Sequence, residues 1–297
     1  MREPALIRIL PDGRRLHLQD GPIDLILEAT GKYQEVAAAY EAAARRFVFV
    51  LDELCSELSL LRARIAEDSV PPSGAIARKM YEAVLPYSKE CFITPMAAVA
   101  GSVAETVLEA MLAAAALDRA YVNNGGDIAF HLSSGQRYAI GMVERPDRPC
   151  LFGSFEISAS DPVRGIATSG WHGRSFSLGI ADAVTVLACN AAAADAAATI
   201  IANTVDLPRH SAITRVPARE IAPDSDLGDL QVTRDVGPLT GPEIECALKA
   251  GMGTANSLRE RGLIHSAALN LQGHTRIASA SNASIFLDTR QRSLLHA

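Results

Sequence analysis

Two alanine-rich segments limit the possible fold of this chain more than any other feature. Residues 97–118 read AAVAGSVAETVLEAMLAAAALD, and residues 191–204 read AAAADAAATIIANT. The first segment is apolar on almost every face, which indicates a helix surrounded by other parts of the protein. The second segment is also rich in alanine, but it carries one acidic residue, Asp195. Because small side chains allow close packing, the sequence predicts a tightly packed core that is rich in helices.

The composition narrows the class of protein. With 297 residues, of which 48% are hydrophobic, the chain can bury a substantial core as one large domain or two small ones. A net charge of −6 argues against a nucleic-acid or anionic-membrane partner. We expect no membrane span, because no uninterrupted apolar stretch reaches about 18 residues. The five cysteines are scattered without a C-x-x-C pair, which favours the reducing cytoplasm.

Strand and helix patterns mix along the chain without strict alternation. The segments ALIRIL and RRLHLQ alternate apolar and polar residues, as strands do, while residues 32–68 follow a helical period. A single helix of that length would extend about 54 Å, so we expect it to be broken or used in an oligomer contact. The mixture predicts an α+β fold rather than a doubly wound parallel sheet.

The stretch Asn123-Asn124-Gly125-Gly126-Asp127 is the first candidate site. Two glycines allow a backbone to approach a ligand closely, and Asp127 could accept hydrogen bonds from a ribose or a base amine. The same glycines are also the strongest short signal for a hairpin turn. Both interpretations remain open from the residues alone.

Asp195 and Thr199 form the second candidate site, because they lie four residues apart on one face of the predicted helix. One interpretation is a solvated polar stripe on an apolar helix. The other is a divalent-cation site, since a carboxylate and a hydroxyl suit Mg²⁺ with waters and phosphate oxygens as its other ligands.

The third candidate site follows a predicted strand and begins with Thr168, Ser169 and Gly170. Small hydroxyl residues and glycine at such a place can bind phosphate through backbone N–H groups, and Arg174 could pair with phosphate. His172 could carry a proton. An ordinary polar loop is the alternative.

Four short motifs occur in one order, namely VNNGGD (122–127), ATSG (167–170), AVTV (183–186) and ADAAAT (194–199). In this order they resemble the ApbE family, the FAD:protein FMN transferases. The segments GPIDL, FITPMAAVAG and GRSFSLGIADAVTVLA are more similar to a shorter branch of that superfamily, which carries an uncharacterised-protein-family (UPF) designation.

The resemblance implies a single ApbE-like domain over residues 1–297, built from duplicated T-fold-like halves of roughly 1–120 and 121–297. It implies mixed or antiparallel sheets with packed helices, and a flavin nucleotide, FAD or FMN, bound between the halves.

The resemblance also implies the roles of particular residues. The Mg²⁺ carboxylate and hydroxyl correspond to Asp195 and Thr199. In a changed G-x-A-x-D pattern, Val103 or Ala104 would offer its backbone carbonyl. The remaining nucleotide contacts would come from two groups of residues: Asn124, Gly125, Gly126 and Asp127 towards the adenosine, and Thr168, Ser169, Gly170 and Arg174 along the cleft.

One departure from the family bears on activity. The transferases carry an H-I-x-D-P-x-T-G segment between A-T-S-G and S-V-T-V, and here the shorter GWHGRSFSLGIAD fills that gap. His172 and Asp182 are the nearest candidates for proton transfer in this segment.

The sequence therefore predicts a protein that binds FAD and Mg²⁺ and acts at the pyrophosphate, as an FMN transferase or an FAD pyrophosphatase. The alternative is a non-catalytic flavin binder or carrier that serves a redox partner protein. A homodimer is compatible with either prediction.

Overall fold

The computed structural model describes residues 4–66, 68–143, 151–279 and 285–287. The described chain combines helices with antiparallel strand pairs, so the predicted α+β class is confirmed. The chain divides into two compact units. The first unit comprises Met1–Gln136, Arg164–Ala167 and Ala188–Ala196, and the second comprises Arg137–Val163, Thr168–Leu187 and Ala197–Ala297. The single ApbE-like domain with halves of roughly 1–120 and 121–297 stays a prediction.

Antiparallel strands that follow one another in sequence form the sheet of the first unit. They are β1 (Leu6–Ile9), β2 (Leu16–Asp20), β3 (Ile23–Thr30), β4 (Arg119–Asn124) and β5 (Asp127–Leu132). The beginning of β8 (Gly165–Ser169) pairs with β5 through Ile166 and Ile128. Every second residue of β3 is buried, as expected of a sheet with one face on the core.

Helices cover the buried face of the first unit. They are α1 (Tyr33–Phe47), α2 (Val50–Ser56), α3 (Leu58–Leu61), α4 (Ala75–Val84) and α5 (Val99–Ala114). The long helix considered over residues 32–68 is thus broken into three. One break falls at Glu57, which leaves helical geometry. Its carboxylate accepts hydrogen bonds from the N–H groups of Ser73 and Gly74, both at 2.7 Å, at the start of α4.

Helix α5 confirms the prediction of a buried helix within residues 97–118. It packs against α1, β4 and β5, and Val103, Val107 and Met111 have no accessible surface. Within the described residues, Pro95–Ala114 is the one helical stretch whose length and hydropathy would allow it to cross a membrane, and half of that window is buried. Its contacts in the first unit explain the apolar character of this stretch.

The described residues of the second unit contain three groups of paired strands, of which one is a three-stranded sheet and another a two-stranded ribbon. Its strands are β6 (Arg137–Val143), β7 (Leu151–Ser158), β9 (Ala183–Ala188), β10 (Ile213–Pro217), β11 (Gln231–Val236), β12 (Ser266–Leu271), β13 (His274–Ala278) and β14 (Ile285–Leu287). All residues of β9 and β12 are buried, as in strands that are covered on both faces. Helix α8 (Gly241–Glu260) packs on β12 and β13, and α7 (Ala218–Ile221) is a single turn.

Helix α6 (Ala191–Thr204) carries the chain from the first unit into the second, as the boundary falls after Ala196. Most of its residues are buried, and a row of three polar residues, Asp195, Thr199 and Asn203, keeps accessible surface. The predicted helix over residues 191–204 is therefore confirmed, together with its polar stripe.

Candidate functional site around Asp195

The side chain of Asp195 caps helix α5. Its Oδ2 accepts a hydrogen bond from the backbone N–H of Gly101 at 2.9 Å. The first N–H groups of a helix have no partner within the helix, and Ala98 at the N-cap position of α5 supplies no side-chain bond. Asp195 therefore provides an acceptor for an N–H group at the start of α5, a helix that is distant from it in sequence.

Close contact between two backbones makes this cap possible. A Cβ atom placed on Gly101 would lie 2.3 Å from the carbonyl oxygen of Ala191, the first residue of α6. Only glycine allows the first turns of α5 and α6 to approach this closely.

The charge on Asp195 is unfavourable in the structure as it stands. Burial of the carboxyl group, followed by the negative charge of Asp127, raises the pKa of Asp195 well above its usual value. Hydrogen bonds from the N–H groups of Gly101 and Ala100 oppose this shift. The residue as a whole is half-buried and keeps some accessible surface. A cation at this place would relieve the repulsion between the two acids.

The glycine-rich stretch forms a hairpin that contacts the same turn of α5. Asn124 pairs with Asp127 across the β4–β5 hairpin, and the two glycines between them have φ values of 67° and 115°. These are the positive values that a two-residue hairpin turn of this kind requires. Asn124 Nδ2 donates to the carbonyl of Ala100 at 3.2 Å. The hairpin interpretation is thus confirmed, and the hairpin also brings Asn124 to the turn that Asp195 caps.

Few groups that could bind a metal ion lie around the first turn of α5. Thr199 lies one helical turn after Asp195 on α6, while Ala104 is fully buried within α5. Among the described residues, no group of three or more His, Cys, Asp or Glu side chains is arranged to hold a metal. One carboxylate and one hydroxyl suit Mg²⁺ that arrives with phosphate oxygens and waters, rather than a structural ion. The roles of Asp195, Thr199 and Ala104 in metal binding stay predictions.

The second unit holds the Thr-Ser-Gly turn at the end of β8. Thr168 Oγ1 lies 2.9 Å from Thr185 Oγ1 of β9, and Ser169 is half-buried. A Cβ atom on Gly170 would lie 2.4 Å from the carbonyl oxygen of Asp182, so close packing requires this glycine. Arg174 is exposed. Nucleotide binding by these residues stays a prediction.

Asp182 organises the loop that follows this turn. Its Oδ1 is 3.2 Å from both Trp171 Nε1 and His172 Nε2, and its Oδ2 accepts the backbone N–H of Gln272. The rings of Trp171 and His172 are in contact, with their centroids 3.7 Å apart and a tilt of 34°. The structure therefore brings together the two residues predicted for proton transfer, His172 and Asp182.

Two partners in these clusters were not found from the sequence. Gln272, which binds Asp182, takes part through a backbone N–H group, and every residue except proline has one. Glu105 accepts a hydrogen bond from the N–H of Ala192 at 3.4 Å, 87 positions away. Its place in the altered G-x-A-x-D pattern was the one available signal.

The chain belongs to the family described as AbpE bacteria, whose family model matches residues 7–277. This match confirms the superfamily part of the resemblance, and the UPF0280 relatives described next confirm its UPF branch.

Similar proteins come from archaea. A UPF0280 protein of Methanothrix thermoacetophila is 35% identical over 158 residues, which are 53% of this chain and 62% of that protein. A UPF0280 protein of Methanopyrus kandleri is 33% identical over 183 residues, or 61% of this chain and 69% of that protein. A relative from Methanobrevibacter smithii is 37% identical over 43% of this chain and 51% of its own length. The chain thus spans about half to two thirds of the length of these relatives.

Among solved structures, the flavin transferase ApbE from Vibrio cholerae is similar with a TM-score of 0.49 and 11% identity, over 94% of this chain and 98% of that chain. The ApbE protein from Thermotoga maritima is similar with a TM-score of 0.47 and 13% identity, over 93% and 96% of the two chains.

Proposed function

We propose that this protein binds FAD together with Mg²⁺ and acts at the pyrophosphate of the nucleotide. One observation carries the proposal: the carboxylate of Asp195 lies against the N–H groups of the first turn of α5, beside the Asn124–Asp127 hairpin. The order of the four sequence motifs and the family membership support the choice of a flavin nucleotide.

The residues proposed to bind the cation suit a nucleotide that carries its own Mg²⁺. Asp195 is a carboxylate whose charge is costly without a counterion, because burial and Asp127 both raise its pKa. When bound by Asp195, Thr199 and the carbonyl of Ala104, Mg²⁺ would polarise a phosphoryl oxygen of the pyrophosphate.

The hairpin would hold the adenosine end of the nucleotide. A Cβ atom placed on Gly126 would meet no protein atom within 4 Å, so space beside the turn is open. In this proposal Gly125 and Gly126 let the nucleotide approach the backbone, Asp127 accepts a hydrogen bond from it, and Asn124 ties the hairpin to α5.

The second unit supplies the remaining proposed contacts. Thr168, Ser169 and Gly170 would contact the flavin nucleotide, and Arg174 would pair with a phosphate oxygen. His172 would act as the general base, because its contact with Asp182 holds the imidazole ring in one orientation.

A non-catalytic flavin carrier for a redox partner protein is the second candidate, and one observation favours it. The carboxylate of Asp182 interacts with two side chains and one backbone group, which suits a residue that positions Trp171 and His172 rather than one that transfers a proton. We also propose a cytoplasmic location, which the scattered cysteines of the sequence support. The oligomeric state stays a prediction.

Calorimetric titration tests the binding proposal. FAD, FMN and ADP are titrated into the protein with Mg²⁺ or with EDTA. We expect FAD to bind more tightly with Mg²⁺ than with EDTA, and more tightly than ADP. Absence of FAD binding under both conditions would contradict the proposal, and binding that is equal with Mg²⁺ and EDTA would exclude the cation site.

Product analysis separates the candidates. The protein is incubated with FAD, Mg²⁺ and a threonine-bearing acceptor peptide, followed by mass spectrometry and chromatography. A peptide that gains FMN indicates a transferase, whereas free FMN and AMP that disappear in His172→Ala indicate hydrolysis. If FAD is bound but neither product forms, the protein is a carrier.

A further inference from the structure

Helices α5 and α6 each cap the other. Asp195 of α6 accepts the N–H of Gly101 in the first turn of α5, and Glu105 of α5 accepts the N–H of Ala192 in the first turn of α6. All four residues belong to the first unit. Because the two bonds run in opposite directions, sliding or rotation of one helix against the other would break both.

Lys79 of α4 holds Glu105 in this position. Lys79 Nζ lies 3.2 Å from Glu105 Oε1, which leaves Oε2 for the N–H of Ala192. The side chains of Lys79 and Glu105 are only 25% and 19% exposed, so water screens this pair less than a surface ion pair. Lys79 also contacts Glu109, one turn further along α5, whose side chain is 56% exposed.

The close approach at Gly101 fixes the separation of the two helices but not their register. Contact between the backbones at Gly101 and Ala191 prevents the helices from moving closer. The two caps resist the movements that this contact still allows, namely sliding and rotation. The direction in which the Asp195 carboxylate points therefore depends on the cap at the other helix.

We propose that Glu105, held by Lys79, is a positioning residue for the nucleotide site, because it fixes the first turn of α6 and thereby places the carboxylate of Asp195. The proposal rests on the proposed function, as Asp195 is there the residue that binds the cation. Glu105 itself contacts neither the nucleotide nor the cation.

The test compares variants that differ in one contact. Glu105→Ala removes the acceptor for the N–H of Ala192 but leaves Asn190 Oδ1, which accepts the N–H of Ala193 at 2.8 Å. Glu105→Gln keeps an acceptor for the N–H of Ala192, and Glu109→Ala removes the other partner of Lys79. For each, FAD affinity is measured by calorimetry with Mg²⁺ and with EDTA, beside the thermal unfolding midpoint.

We expect Glu105→Ala to reduce FAD affinity about tenfold or more in Mg²⁺, as is typical when a residue that supports a metal ligand is lost, and to change it little in EDTA. Glu105→Gln should recover only part of this loss, because its amide keeps one acceptor oxygen for the N–H of Ala192 but no second oxygen for Lys79. Glu109→Ala should resemble the wild type. A residue that only stabilises the fold would lower the unfolding midpoint and leave the ratio of the two affinities unchanged.

Two results would overturn the inference. One is a folded Glu105→Ala variant with the wild-type ratio of affinities. If Glu105→Ala does not fold, Lys79→Met is the decisive variant, because it leaves Glu105 in place but removes the residue that orients it. A ratio of FAD affinities in Mg²⁺ and EDTA equal to that of Glu109→Ala overturns the inference. A wild-type protein without Mg²⁺-dependent binding is a separate outcome, in which the proposed function fails and the positioning role fails with it.

Discussion

Asp195 of helix α6 accepts a hydrogen bond from the backbone N–H of Gly101 in helix α5, with 2.9 Å between nitrogen and oxygen. The two residues are 94 positions apart in sequence. The sequence left two interpretations of this acid, a solvated stripe and a cation site, and the structure adds a third, a cap on a distant helix. A carboxylate has two oxygen atoms and about four acceptor positions, so the cap leaves capacity for a cation.

Replacement of Asp195 by Asn separates the cap from the charge. An amide oxygen can still accept the N–H of Gly101, but the variant has no negative charge for Mg²⁺. We expect Asp195→Asn to bind FAD equally with Mg²⁺ and with EDTA in calorimetry. Its stability should match or exceed that of the wild type, because burial and Asp127 raise the pKa of Asp195 and make its charge unfavourable.

Asp195→Ala is the matched comparison, since it loses the cap as well. Loss of a helix cap costs about 1 kcal/mol, which thermal unfolding would detect. Retention of Mg²⁺-dependent FAD binding in Asp195→Asn would rule out this residue as the cation ligand.

Two glycines in helices should respond in opposite directions to replacement by alanine. In Gly101→Ala the new methyl group would lie 2.3 Å from the carbonyl oxygen of Ala191, so the helices must move apart. We expect a loss of about 1–3 kcal/mol in the free energy of unfolding, the usual range for overpacking. In Gly253→Ala, within α8, the methyl group would enter open space, and we expect a gain of about 1 kcal/mol from helix propensity.

Urea unfolding of both variants measures these differences. Equal effects of the same sign at the two positions would show that the close contact of Gly101 with Ala191 does not limit the packing of α5 on α6.

Local patterns were enough to predict much of this fold. The three N-terminal strands, the two alanine-rich helices and the Gly125–Gly126 hairpin follow from periodicity and turn chemistry over short stretches. The break at Glu57 could be expected only as one of two alternatives, because the partners of its carboxylate, Ser73 and Gly74, lie 16 and 17 positions away.

Long-range partners could not be predicted in the same way. The contacts of Asp195 with Gly101, Glu105 with Ala192 and Asp182 with Gln272 each join a side chain to a backbone N–H group roughly 90 positions away. Backbone groups do not vary with residue type, so the sequence contains no pattern that identifies such a partner. The ordered family motifs identified Asp195, and the segment that departs from the family identified Asp182, but neither indicated what these residues contact.

Substitutions at Gly125 test the hairpin separately from ligand binding. Gly125 has a φ of 67°, which Asn adopts readily and Val does not. We expect Gly125→Asn to keep nearly wild-type thermal stability and Gly125→Val to lose about 1–3 kcal/mol. If the nucleotide approaches this backbone as proposed, both side chains should weaken FAD binding in the folded state. Wild-type FAD affinity in a stable Gly125→Asn variant would separate the hairpin from the nucleotide site.

Glu243 provides a dependence of stability on pH that is remote from the proposed site. It forms a capping box with Thr240 at the start of α8, and its Oε1 lies 2.9 Å from His210 Nε2. Three hydrogen bonds lower the pKa of Glu243 from 4.5 to about 2. The largest effect comes from the backbone of Thr240, the next from the side chain of Thr240, and the third from the side chain of His210. Because the folded-state pKa is the lower one, the stability contributed by the carboxylate is present above pH 4.5 and is lost as the pH falls towards 2.

We therefore expect Glu243→Gln to be less stable than the wild type at pH 6, with a difference that shrinks steadily below pH 4.5 and vanishes near pH 2, because protonation of the wild-type carboxylate removes the same charged hydrogen bonds. Urea unfolding of both proteins at closely spaced pH values measures this difference. Glu245→Gln is the control on the same helix, since Glu245 pairs with Arg276 at the surface and such pairs contribute little. A stability difference for Glu243→Gln that stays constant from pH 6 to pH 2 would show that the capping box does not depend on the charge of Glu243.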